Sequence, residues 1–150
     1  MNTVGDLVHG KEIYTVQSGQ TVMQAVDLMV EKEIGAVAVL EGDRVAGIFS
    51  ERDLMKRVVT RRLDPGKVSL AEVMTKNLVT ARPEESYSAC LAKMQAHGIR
   101  HLVIASDDLQ LLGIISLRDL MSRDIQEKSA EIEFMNAYLH YVPPATQAGV

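Results

Sequence analysis

Two short segments carry side chains that could do chemistry in partnership, Ser50-Glu-Arg-Asp53 and Ser116-Leu-Arg-Asp119. A carboxylate offers two acceptor oxygens, enough for both hydroxyls of a vicinal diol, and its charge strengthens such bonds. A serine at a helix start lies beside free backbone N–H groups and the positive end of the helix dipole, which favour a phosphate. The same Ser-x-x-Asp spacing is that of an N-terminal capping box, in which the two side chains serve only the helix's own amides. Thr3-x-x-Asp6 and Ser69-x-x-Glu72 have this spacing and are read as capping boxes alone. For the two Ser-x-x-Asp segments both readings stand. Each follows a glycine, Gly47 or Gly113, that would let a ligand approach the backbone closely.

The segments belong to two copies of one unit. Residues 47–55 return as 113–121 with seven of nine positions identical. Upstream, Thr15 matches Thr80, Thr21 matches Ser86, Met29 matches Met94 and Ile34 matches Ile99, at an offset of 65. One extra residue near Asp107 and Asp108 makes the offset 66 downstream. Each copy predicts a strand (12–16; 78–81) and then an amphipathic helix, with apolar Val22, Ala25, Val26, Met29 and Val30 three and four apart. Tyr87, Cys90, Leu91 and Met94 repeat that stripe, and Gly98 is its expected stop. Two more strands follow (35–40 and 44–49; 100–105 and 111–115), and a closing helix begins at Ser50 or Ser116. The fold class is therefore α/β (α+β), two β-α-β-β-α repeats spanning 1–64 and 65–126. The linker Leu63-Asp-Pro-Gly-Lys67 separates them. Residues 127–150 form an extension with no counterpart after the first repeat. Its helical stretch, with Ile125, Ile132, Met135 and Leu139, is expected to end at Pro143 and Pro144 before a loose tail.

Composition excludes several classes. A net charge of −4 argues against a nucleic-acid protein. Apolar runs such as 36–40 and 111–115 fall far short of the ~20 residues a bilayer needs. Residues 1–14 hold no apolar signal region. A single cysteine, Cys90, allows no internal disulfide, so the expected location is the cytoplasm. The spacing His97-x-x-x-His101 matches a helical zinc pair, but Gly98 interrupts the helix, and no metal is expected. Cys90 and the repeated Met29/Met94 and Met55/Met121 are expected in the core. The basic run Arg52, Lys56, Arg57, Arg61, Arg62 reads as a solvated face that could add phosphate attraction. No phosphate loop, Ser-His-Asp set or paired-carboxylate motif marks an enzyme.

A doubled β-α-β-β-α unit ending in Gly-apolar-x-Ser-x-x-Asp resembles the tandem cystathionine-β-synthase (CBS) domain pair, or Bateman module. The likeness covers about residues 3–125 and is sharpest at 47–53, 113–119 and Val73-Met74-Thr75. It implies two repeats packed pseudo-symmetrically through their sheets, a homodimer, and two inter-repeat clefts for AMP, ADP, ATP, S-adenosylmethionine or NAD. It also implies a regulatory module acting on an effector protein, with no catalysis and no required cofactor. Carried over by position, one cleft would combine Ser50, Asp53, Thr75, Val79, Ile99, Arg100 and His101. The other would combine Ser116, Asp119, Tyr14, Ile34 and Gly35. Each aspartate would hold a ribose, apolar residues would sandwich the adenine, and Arg100 with His101 would hold phosphates beside Asp53. Gly35 and Ala36 would leave room in the other cleft for a bulkier ligand. The alternative is a ligand-free dimerisation module whose Ser-x-x-Asp motifs only cap helices.

Overall fold

A computed structural model describes residues 2–140. Pro143, Pro144 and the tail around them lie outside the described residues. Each repeat opens with a short helix, α1 (Val4–Val8) or α4 (Leu70–Val73). Both start at capping boxes: Thr3 N–H donates to Asp6 at 3.1 Å, and Ser69 N–H to Glu72 at 3.3 Å. The first repeat continues with β1 (Thr15–Gln17), α2 (Val22–Lys32), β2 (Ala36–Glu41), β3 (Arg44–Ser50) and α3 (Glu51–Asp53). α3 runs straight into a π-helical segment, Leu54–Val59. The second has β4 (Thr80–Ala81), α5 (Tyr87–His97), β5 (His101–Ala105), β6 (Leu111–Ser116) and α6 (Leu117–Leu139). This is the α/β architecture that the sequence predicts. The closing helix and the extension, though, are one 23-residue helix.

Each repeat forms a three-stranded sheet, its first strand parallel to the second and the second antiparallel to the third. β2 and β5 read as unbroken apolar runs and are almost wholly buried, as strands covered on both faces must be. Helices cover one face; on the other, Val45, Val103 and Ala105 pack with Ile48 and Ile114 between the sheets.

The repeats exchange their first helices. Val4, Leu7 and Val8 of α1 are buried with Tyr87, Leu102 and Leu120 of the second repeat. Leu70, Val73 and Met74, in and just after α4, are buried with Phe49 and Val58 of the first. Val4 N–H donates to Glu85 at 2.9 Å, and Val22 N–H to Val68 at 3.0 Å. Each core is thus completed by the other repeat's opening segment, which ties two units too small to bury much alone.

The repeated methionines divide. Met29 and Met94 are buried, whereas Met55 and Met121, expected in the core, are 58% and 46% exposed. Met121 instead lines the cavities beside α6. Cys90 is buried against α5's sheet-facing side, which pushes its thiol up to about 11.

Gly47 and Gly113 serve the exchange rather than a ligand. A Cβ at Gly113 would stand 2.7 Å from Val8 Cγ1; one at Gly47 would stand 2.7 Å from Met74 Sδ and 2.8 Å from the Thr75 carbonyl. Gly113→Ala is therefore expected to cost about 1–3 kcal/mol by overpacking α1. Thermal melting should show the loss, and ligand titration should show unchanged affinity.

Candidate functional site

Ser50 and Ser116 each cap a helix, accepting the amide N–H of Asp53 at 3.4 Å and of Asp119 at 3.1 Å. The first amide of each helix is also engaged, Glu51 N–H to the Gly35 carbonyl and Leu117 N–H to that of Arg100. The free amides expected to favour a phosphate are therefore partly spent within the fold. Beyond this point the two aspartates have different surroundings.

Asp53 is 8% exposed and its carboxylate is fully used. One oxygen accepts the Ser50 N–H at 3.0 Å and the Ser50 hydroxyl at 3.2 Å. The other accepts the Thr75 hydroxyl at 3.0 Å and lies 3.5 Å from Arg57 Nε. Arg57 also donates to the Met74 carbonyl at 3.1 Å. Ser50, Asp53 and Thr75 are thus together as expected, but as a closed latch between α3 and the segment after α4. Val79 and Ile99 pack against the second repeat's core instead.

Asp119 is exposed, and its carboxylate has no hydrogen bond or ion pair among the described residues. It lies in a cleft of about 1190 Å³ that also holds Ser116, Tyr14, Ile34 and Gly35. Arg100 and His101, expected beside Asp53, line this cleft. Strand pairing explains the change, since His101 on β5 is the register partner of Ser116 on β6. The space expected above Gly35 is taken by the His101 imidazole, whose Nε2 would be 3.3 Å from a Cβ there.

The sequence reading missed further walls of the cleft: Lys11, Glu12, Glu51, Ile114, Leu117 and Arg118. Lys11 and Arg118 join Arg100 as cations around an apolar floor. Tyr14 donates its hydroxyl to Glu12, and Lys32 Nζ lies 5.2 Å from its ring centroid. A cavity of this size exceeds the roughly 300–1,000 Å³ of most small-molecule sites and can take a nucleotide with space to spare. Its lining sets the carboxylates Glu12, Glu33, Glu51 and Asp119 against the cations Lys11, Arg100 and Arg118, with aliphatic walls that suit a flat ring.

Burial holds the His101 imidazole below its ordinary range, with Glu51 opposing the shift. The unfolded chain therefore binds this proton more readily than the folded protein. The resulting stability is constant above about pH 6.5 and is lost as pH falls below it towards the folded pKa. His101→Gln should flatten this acid limb in melts between about pH 7 and 5. Parallel curves for variant and wild type would remove the assignment.

The zinc spacing also resolves: His97 ends α5, Gly98 caps it at φ 61°, and His101 starts β5. Among the described residues no helix is long and apolar enough to cross a membrane.

A family model of the CBS domain matches residues 4–60 and again 70–125. CBS domain-containing protein YhcV of Bacillus subtilis is 33% identical over 119 residues, 79% of this chain and 84% of its own length. A CBS-domain protein from Burkholderia ambifaria superposes with a TM-score of 0.77 at 35% identity, over 83% of this chain and 95% of its own. The CBS domain pair of protein MJ0100, solved with 5-methylthioadenosine and S-adenosyl-L-methionine, gives a TM-score of 0.73 over 85% of this chain and 98% of its own. At 22% identity that last likeness carries the fold alone.

Proposed function

The chain belongs to the CBS-domain family, and from that premise we propose that it is a regulatory module binding one adenine nucleotide per chain. The ligand sits in the Asp119 cleft. The observation that carries this reading is the contrast between the two aspartates, Asp53 latched and Asp119 free in a large cavity. Asp119 would take the ribose hydroxyls, Ile34, Ile114 and Leu117 the adenine, and Arg100, Arg118, Lys11 and His101 the phosphates. AMP, ADP and ATP fit this division best; NAD and S-adenosylmethionine share the same adenosine. The MJ0100 pair, of the same fold, was itself solved with two adenosine-based molecules, 5-methylthioadenosine and S-adenosyl-L-methionine.

The module has no catalytic role in this reading and works in the cytoplasm as a homodimer. It signals to an effector protein through two states that the nucleotide binds unequally, because only differential affinity can shift an equilibrium. A structural, ligand-free role has one observation in its favour, the complete engagement of Asp53 within its own fold.

Thermal shift and calorimetry with AMP, ADP, ATP, NAD and S-adenosylmethionine, with GMP as control, separate the two. A ligand at a hundredfold excess over Kd should stabilise by about 2.7 kcal/mol, with one site per chain. No shift with any adenine compound at millimolar concentration would leave the structural role standing.

A further inference from the structure

A second cavity of about 550 Å³ opens between α5 and α6, walled by Leu91, Ile99, Leu117, Met121 and Ile125. Arg52 and Arg100 stand at it. Arg52 donates to the neutral Gly98 carbonyl at 3.1 Å, so its charge is not compensated there. Asp124, also in the wall, is neutralised by Lys128 at 2.8 Å. The groove is therefore apolar and cationic.

The distal half of α6 has the opposite character. Ile132, Met135 and Leu139 are 57%, 60% and 71% exposed, and Phe134 and Tyr138 are 74% and 76% exposed. Glu127, Glu131 and Glu133 outnumber Lys128 around them. At ~100° per residue, Leu117, Met121, Ile125, Ile132, Met135 and Leu139 share one side of the helix. The groove and the free apolar stripe thus lie along one side of one continuous helix. A continuous helix cannot fold its own end back into its own groove.

We propose that this groove receives the distal half of α6 from a second copy of the chain, antiparallel and reciprocally, about a twofold axis near Lys128. Self-complementarity is what a twofold interface demands, and this side of the molecule supplies both halves. Charge sets the direction. Antiparallel docking brings Glu131, which flanks the stripe, towards Arg52 and Arg100 of the other copy. Parallel pairing would set each glutamate beside its own copy, a like-charge arrangement that interfaces avoid. In the antiparallel register Met135 faces Met121 of the second copy, and Leu139 faces Leu117. The inference deepens the homodimer reading and rests on it.

Cysteine crosslinking of the full chain tests it, since the native Cys90 is buried. Mixed Met121→Cys and Met135→Cys chains should form a disulfide-linked dimer under mild oxidation, with loss of the monomer band. Met135→Cys alone should not crosslink. Light scattering on the same samples reports the oligomer. A dimer that crosslinks through Met135→Cys alone pairs in parallel and overturns the docking. A dimer with no crosslink uses another face, which overturns the docking and leaves the homodimer reading intact. A monomer at micromolar concentration overturns both.

Discussion

Asp119→Asn is expected to weaken nucleotide binding by about 1.5–3 kcal/mol, roughly 10- to 150-fold in Kd, with almost no change in apo stability. The substitution keeps the shape and one acceptor oxygen but removes the charge and the second acceptor that a ribose diol requires. The empty protein should not register the change, because the wild-type carboxylate is exposed and has no partner among the described residues. Ser116 still receives the backbone amide of residue 119, so the helix cap survives. Calorimetric titration with AMP and ATP, paired with thermal melts, reads both sides. Wild-type affinity in the variant would remove Asp119 from the site.

Asp53→Ala should do the reverse. It strips the acceptor from the Ser50 amide, the Ser50 hydroxyl and the Thr75 hydroxyl in one step. Loss of a cap costs about 1 kcal/mol and a stranded part-buried donor about 1–3. The Arg57 contact adds little, since that side chain is 40% exposed and solvent screens the pair. A total of about 2–4 kcal/mol should lower the melting temperature by about 4–16 °C. Nucleotide affinity should stay within twofold of wild type. A large loss of affinity with intact stability would reopen the first cleft as the binding site.

The contrast between these aspartates marks where the sequence stops being readable. Internal repetition exposed the fold, because two copies of a pattern show strands, helices and turns more clearly than one. The serine caps, the turns and the stop at Gly98 follow from local chemistry and need no tertiary knowledge. Which cleft could open was decided by contacts far apart in the chain. Thr75, which closes on Asp53, aligns at an offset of 66 with His9, which has no comparable hydroxyl to offer Asp119. That difference was present in the sequence, but its meaning depended on α1 and α4 changing places between repeats. Arg57, four residues after Asp53, carried a helical-spacing signal of its own but was absorbed into a solvated basic face. Arg123 occupies the same place after Asp119, so spacing alone could not separate the two clefts. Met55 and Met121 show a related limit. Periodicity identifies an apolar face, but not whether the same chain covers it.

The unbroken run of α6 has a mechanical consequence. Asp119 stands near its first turn, and Leu139, twenty residues further on, is about 30 Å away along the axis. An unbroken helix transmits tilt as a lever does. If closing on a ribose turned its root by about 10°, the far end would sweep through about 5 Å, nearly one helical turn. Movements too small to rearrange the sheets would thus arrive at the tip as a displacement large enough to break or make a contact.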